Sequence, residues 1–557
     1  MIGAWLLVSP WGNYPLNDDW IYAGIARRLA ETGVFRMDKG CAPNEVGQAL
    51  AAAPFIMLFG FSHTLLRILT MGLGLLGLVA MDALLGLSGA DRRSRWMFGC
   101  VVGLNPLYFY HATTFMSELY GWVPGLGTAT LWFWGRRRAG GKGPLVSLGC
   151  AAAVGLLGGA GFWTRQYAVL VFPALVLGSG APLVFRRQWS RLRSSAPGLV
   201  LGSALWVGVI LLFFPWARAT GNLRPEFTDL QANLGTLDFN ATVINGLMLL
   251  VYATGFCAPL LIWIRGKRNL KLSLIVASAL LGGALLSRTV LTRVASTDND
   301  FGPNIHRRFP YSANIIYDAG MGPVTLTDVF VYQMPRQRFP VWIWTTVEGL
   351  LFAGLMLWVP FLLEGLALLR SKEESLPAEL WGFGVALALL NGLVFSQATK
   401  LWSFDRYFLP SVLGLALSAA TLSRPVRSGL RGAICALFFL PMTWFTVAGM
   451  HDHFAWNDAR WALVDSAHAR GAGPANVEAG YEPNGWLAYD DYAAQRPPAH
   501  CVGPCGCRYP FKWFFCTDDS YRVGMNVLPG YQPVQTLMPH YWLTPGPPMI
   551  LSVRQFP

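Results

Sequence analysis

Apolar runs alternate along the chain with short polar connections. "LLRILTMGLGLLGLVAMDALLGL" (65–87), "LVLGSALWVGVILLFFP" (199–215) and "LSLIVASALLGGALL" (272–286) are three of many such runs. Several approach the roughly 20 residues that a helix needs to cross a bilayer. Taken through the chain, the pattern predicts about thirteen spans. They fall near 1–14, 64–88, 96–112, 118–135, 145–163, 167–185, 198–215, 241–264, 271–290, 341–369, 380–400, 407–423 and 431–449. The opening "MIGAWLLVSPWGNY" is too short to cross and points to a start further upstream. It also lacks the basic region and small-residue cleavage site of a signal peptide. Behind it, "NYPLNDDWIYAGIARRLAETGVF" (13–35) places Ile21, Tyr22, Ile25, Ala26 and Leu29 on one helical face, with Arg27, Arg28 and Glu31 elsewhere. That amphipathic helix is expected at the membrane interface.

From His451 onward the pattern changes. "FAWNDARWALVDSAHARGAG" reads as one amphipathic helix. "NVEAGYE", "SYRVGMNV", "YQPVQTL" and "MILSVRQF" read as short strands separated by Gly, Pro and Asn. The division is thus a membrane bundle over 1–449 and a small α/β domain over 450–557, large enough to stand alone.

Composition agrees with the membrane class. The 557 residues are 54% hydrophobic and only 13% charged, about half the charged share of ordinary soluble domains. A net charge of +13 invites a nucleic-acid partner, but its placement argues against one. The cations sit in every second connection: Arg92, Arg93 and Arg95; Arg136, Arg137, Arg138 and Lys142; Arg186, Arg187, Arg191 and Arg193; Arg265, Lys267, Arg268 and Lys271; Arg370 and Lys372; Arg424, Arg427 and Arg431. The positive-inside rule assigns those connections to the cytoplasm. The alternate segments then face outside: 15–63, the tight turns near 112–118 and 163–167, 216–240, 291–340, 400–407, and everything after 450.

This topology gathers polar groups from distant parts of the chain on one face. Asp18 and Asp19, Glu118 in "FMSELYG", Arg165 in "FWTRQ", and Asp405 with Arg406 in "FDRYFLP" all become external. Ionisable groups beside the apolar layer are costly and mark a pathway or a site. Each also has a plain structural reading. Asp18 and Asp19 suit a helix N-cap, and Ser117 with Glu118 suits another. Arg165 suits a snorkelling arginine. Asp405 and Arg406 suit a local ion pair, Tyr407 and Pro410 shape the next helix start, and His111 suits a satisfied interfacial histidine.

Cys501, Cys505, Cys507 and Cys516 cluster in the tail as "CVGPCGCRYPFKWFFC". The spacing lacks the paired CxxC of common zinc sites, and an external address favours at least one disulfide among the four. Four cysteines allow three pairings. Cys41, Cys100, Cys150, Cys257 and Cys435 read mostly as buried small hydrophobes. The chain carries no P-loop, no nucleotide-binding glycine fingerprint and no Ser-His-Asp signature. The cytoplasmic connections are too short for a nucleotide-sugar site, so an activated substrate would arrive on a lipid. A transporter or lipid flippase is the rival reading, but those proteins place their polar groups near mid-membrane in repeated halves, and no repeat is visible here.

The first external loop "LNDDWIYAGIARRLAETGVF", with "FMSELYG", "FWTRQ" and "FDRYFLP", resembles the GT-C superfamily of membrane glycosyltransferases. Within it, the chain is similar to the bacterial lipid A aminoarabinose transferase and protein O-mannosyltransferase-like group. The tail "WNDARWALVDSAHARGAGPANVEAGYEPNGW" is similar to the external tail of bacterial members. The resemblance implies an all-α polytopic bundle in the bacterial inner membrane with an external C-terminus. It implies a polyprenyl-phosphate sugar donor and a glycan, lipid or protein acceptor. Asp18 matches the family's catalytic aspartate and Asp19 the acid after it, with Glu118 as a third acidic member. Arg165 stands where relatives carry a cation facing the donor phosphate; Arg224, Lys400 and Arg406 are further candidates for that anion. No cofactor or fixed metal ligand is implied, although Asp19 and Glu118 are placed to orient the acceptor or a divalent ion.

Overall fold

A computed structural model describes residues 1–38, 41, 43–138, 146–223, 238–264, 275, 278, 282, 315–316, 320–323, 325–326, 346, 349–351, 353–371, 376–399, 404–424, 429–494 and 520–555. Helices dominate. Among the described residues, seven are long and apolar enough to cross a membrane: His63–Leu87, Gln166–Phe185, Trp189–Ala219, Ala241–Leu261, Gly349–Arg370, Leu376–Gln397 and Gly429–Ala469. Val46–Phe59 and Leu148–Trp163 are shorter apolar helices. Large apolar side chains point outward from these helices, among them Leu76, Val79, Leu211, Leu212, Leu389 and Leu440. At about 25 cal/mol per Å², such a belt is unfavourable in water and belongs against lipid. The chain is a multi-pass membrane protein.

Local chemistry sets where the helices break. The predicted span 96–112 is two helices, Arg92–Gly103 and Pro106–Ala112. Asn105 precedes a proline and is held extended at φ −69°, ψ 131°. Its side-chain oxygen accepts the N–H groups of Leu107 and Tyr108, so it caps the second piece. Leu148–Ala160 closes in the 3-10 turn Gly161–Trp163, and a second 3-10 turn, Gln166–Leu170, leads into Val171–Phe185. Between them Arg165 is extended. Gly121 of the helix Ser117–Arg138 lets this turn come close, because a Cβ there would stand 2.6 Å from Cβ of Arg165. At the far end of the same helix, Arg136 is buried against Glu379 at 2.6 Å. The predicted span 271–290 falls almost entirely outside the described residues.

The opening helix is only Ile2–Val8, too short to cross, as its sequence predicts. The helix Asp19–Thr32 differs from expectation. Its apolar face, including Trp20, Ile21, Tyr22 and Ile25, is buried in the molecule against Val46–Phe59 and the tail rather than laid on lipid. Arg67 fixes the approach to it. Its buried guanidinium donates to the carbonyls of Pro10, Gly12 and Tyr14 at 2.7–2.9 Å.

The predicted amphipathic helix after His451 is the continuation of the last span. Gly429–Ala469 runs unbroken for 41 residues, since no glycine or proline interrupts it between 450 and 469. The four predicted strands form one sheet: β1 (Val477–Glu478), β2 (Tyr521–Gly524), β3 (Tyr531–Leu537) and β4 (Met549–Arg554), in the order β1-β2-β4-β3. β1 and β2 are parallel and the other pairs antiparallel, with Val477 opposite Tyr521 and Leu537 opposite Met549. Pro533 sits on edge strand β3 beside a register shift, where a missing N–H is tolerated. Val477, Val523 and Leu551 bury their side chains with Trp456, Leu463 and Val464 of the long helix. A helix over Tyr481–Ala494 interrupts the series. "NVEAGYE" is therefore a two-residue strand, ended by Gly480 at φ +93°, and a helix start.

Cys501, Cys505, Cys507 and Cys516 lie outside the described residues. Of the other cysteines, Cys41 and Cys257 are buried, Cys150 and Cys435 are half-buried, and Cys100 is exposed. The expectation of burial therefore fails at Cys100, which faces outward from Arg92–Gly103.

Candidate functional site

Asp18 occupies the N-cap position of Asp19–Thr32, yet its side chain makes no capping hydrogen bond. Asn17, in the left-handed region at φ 55°, turns the chain just before it. The Asp18 carboxylate reaches across the molecule instead. Arg406 Nη1 donates to Oδ2 at 2.7 Å, and the Tyr481 hydroxyl donates to Oδ1 at 2.8 Å. Its side chain keeps 19% exposure, whereas Arg406 keeps 5%.

Arg406 links this pair to a second one. Its Nε lies 3.8 Å from Oε1 of Glu118, and that oxygen accepts from Arg165 Nη2 at 2.5 Å. Glu118 stands in the first turn of Ser117–Arg138, where the positive end of the helix favours an acid. Its other oxygen is 3.5 Å from Nδ1 of His111, and neither residue is exposed at all. The ring of Tyr407 lies within 6 Å of both guanidiniums, 5.9 Å from Arg165 and 5.4 Å from Arg406. Tyr167 donates its hydroxyl to the Glu118 carbonyl at 2.8 Å. Two carboxylates and two guanidiniums thus form a neutral chain across the site.

Asp19 turns the other way. Its two oxygens accept the backbone N–H groups of Leu16 and Phe115. Burial pushes its carboxyl well above the usual carboxylate range, against the opposing charge of Arg67. It clamps the Asp18 loop to the turn before Glu118 and does not join the network.

The predicted site residues divide accordingly. Asp18, Glu118, Arg165 and Arg406 come together, Asp19 packs beside them, and Arg224 and Lys400 lie outside the described residues. The local pairing expected of Asp405 with Arg406 does not form. Asp405 instead accepts the backbone N–H groups of Ile315 and Ile316, while Arg406 turns to Asp18. Arg165 is buried at 3% side-chain exposure against Glu118, so it does not snorkel. His111, expected to be satisfied at an interface, is fully buried, and its ring nitrogens have no hydrogen-bond partner among the described residues. Sequence reasoning missed Tyr481 and gave Tyr407 only a helix-start role. Only the "FDRYFLP" turn carried any signal, an aromatic directly after the arginine. Among the described residues, no three His, Cys, Asp or Glu side chains gather to hold a metal ion.

No protein-family model matches the chain, and no curated protein matches it. Solved structures to which it is similar include ArnT from Cupriavidus metallidurans in the apo state. There the identity is 15%, the coverage 86% of this chain and 82% of that one, and the TM-score 0.38. The same protein bound to undecaprenyl phosphate gives 14% identity, 99% and 96% coverage, and a TM-score of 0.42. The arabinofuranosyltransferase AftD from Mycobacteria gives 15% identity over 100% of this chain and 41% of that one, with a TM-score of 0.31.

Proposed function

We propose that the protein is an integral-membrane glycosyltransferase of GT-C type. In this reading it moves a sugar from a polyprenyl-phosphate donor to an acceptor on the external face of a bacterial inner membrane. About thirteen spans would put the site outside, and a membrane domain over 1–449 passes into an external domain over 450–557 within the unbroken helix Gly429–Ala469. The supporting observation is the Asp18 carboxylate, spared from capping and held between Arg406 and Tyr481.

Two of its lone pairs are occupied, which leaves others free on a group that remains part-exposed. Asp18 takes the proton of an acceptor hydroxyl or amine as that atom bonds to the anomeric carbon. The bond from that carbon to the phosphate oxygen breaks on the opposite face, so configuration inverts. The phosphate leaves on its lipid with one more negative charge, which Arg165 and Arg406 meet with planar donor forks. A neutral network suits this step. When the lipid phosphate engages Arg406, the Asp18 carboxylate is released toward the acceptor. Glu118 keeps the two guanidiniums in register. The step balances with donor, acceptor and these side chains, and no cofactor enters it.

Incubating the purified protein with a panel of radiolabelled polyprenyl-phosphate sugars and membrane extract tests the reading. Label moving from at least one donor to an extract component is the expected result. If every donor stays intact while the protein carries a lipid or solute across vesicles, a transporter is the better account.

A further inference from the structure

The chain's own external tail reaches into the candidate site. The helix Tyr481–Ala494 begins at the Asp18 loop, more than 460 residues away in sequence. Three contacts seat it there. Glu482 accepts the backbone N–H of Asn17 at 3.0 Å, immediately before Asp18, and is itself held by buried Arg460 at 2.9 Å. Trp20 meets the Tyr481 ring edge-on at 6.2 Å. Gly485 lies so close to Trp20 that a Cβ there would stand 2.5 Å from the indole ring. The Tyr481 hydroxyl is thereby aimed at Asp18 and donates at 2.8 Å.

We propose that Tyr481 is a positioning residue for Asp18, so that the external tail completes the catalytic site. This rests on the transferase reading above. Burial, and then the Asp18 charge, push the Tyr481 hydroxyl well above the usual tyrosine range, so it remains a donor across the working pH range. A donor on one oxygen fixes the orientation of the carboxylate and stabilises its ionised form. Arg406 makes the other direct contact, Tyr22 and Tyr110 feel the Asp18 charge from their own helices, and Glu118 acts through Arg406. Of these, only Tyr481 comes from the tail.

Two measurements on the full-length protein test the assignment. The first is infrared difference spectroscopy of parent against Asp18→Asn, which isolates the Asp18 carboxylate band without any substrate. Tyr481→Phe is expected to shift that band; an unmoved band overturns the contact. The second is the pH dependence of transfer from whichever radiolabelled polyprenyl-phosphate sugar the parent uses. Loss of a hydrogen bond to an ionised group is expected to move the acid limb of the Tyr481→Phe profile up by about one to two pH units, with the high-pH plateau retained. An acid limb that stays in place overturns the positioning role.

Replacing Tyr481 with 3-fluorotyrosine strengthens the donor and is expected to move the limb down, which covers the case of a poorly folding Phe variant. Glu482→Gln loosens the same helix without touching Asp18. It is expected to lower the melting temperature and to move the limb less than Tyr481→Phe does, because the hydroxyl is retained; a limb that moves equally in this variant overturns the assignment to Tyr481. If the parent uses no donor in the panel, the transferase reading fails, and the infrared band still decides the Tyr481 contact.

Discussion

Arg165 and Glu118 are the most tightly bound pair in the site, and both are buried. Truncating one partner of such a pair strands the other charge and costs about 3–5 kcal/mol. Arg165→Ala is therefore expected to lower thermal stability markedly as well as donor binding. The double variant with Glu118→Ala should recover part of the lost stability in detergent melts, whereas additive losses would contradict a direct pairing. Asp19 makes a contrasting case. Asp19→Asn keeps one acceptor but sets an amide NH₂ against one of the backbone N–H groups of Leu16 and Phe115. An unsatisfied buried group costs about 1–3 kcal/mol. Lower stability with near-parental transfer per folded molecule is the expected outcome, and a loss of transfer without loss of stability would move Asp19 into the chemistry.

Elements were legible where their punctuation is local. The strands β2, β3 and β4 were found from β-rich runs between Gly, Pro and Asn, and the turn holding Arg165 was found from the polar break between two apolar runs. The break at Asn105 and Pro106 was equally local, but a long apolar run hid it. The helix Tyr481–Ala494 was not legible, because its consecutive Trp486, Leu487, Ala488 and Tyr489 mark no single face and its seat is made by Trp20 and Asn17. Pairing across the chain is the deeper limit. Nothing near Arg406 says that its partner is Asp18, 388 residues away, rather than adjacent Asp405. Asp452 offers a test at this scale. Its carboxylate accepts the N–H groups of Trp542 and Leu543 at 2.6 and 2.9 Å, which ties the segment before β4 to the long helix. Asp452→Ala is expected to speed limited proteolysis between β3 and β4, while an unchanged digestion rate would show that the sheet alone holds the segment.

Across the whole molecule, the acidic and basic site residues share one end of the bundle. Glu118 opens the 22-residue helix Ser117–Arg138 and the buried pair of Arg136 with Glu379 closes it. At 1.5 Å per residue the rise from Glu118 to Arg136 is roughly 27 Å, close to a hydrocarbon core of about 30 Å. In the proposed topology the positive-inside rule puts the Arg-rich end in the cytoplasm and the site outside. Reporter fusions after Arg138, Arg193 and Arg268 should read cytoplasmic, and those after Asn233, Pro323 and Gly480 external. An inversion in that set would put the site in the wrong compartment for a lipid-borne donor.

The proposed mechanism makes the Asp18 side chain a base and not a helix cap. Its side chain does no capping, so Asp18→Asn changes chemistry with little effect on the helix, at the cost of one partner for Arg406. The decisive measurement is the rate at which Asp18→Asn transfers labelled sugar from a polyprenyl-phosphate donor, taken per folded, donor-binding molecule. Loss of general-base catalysis predicts a fall of about 10²–10⁴-fold, and transfer near the parental rate would contradict the account.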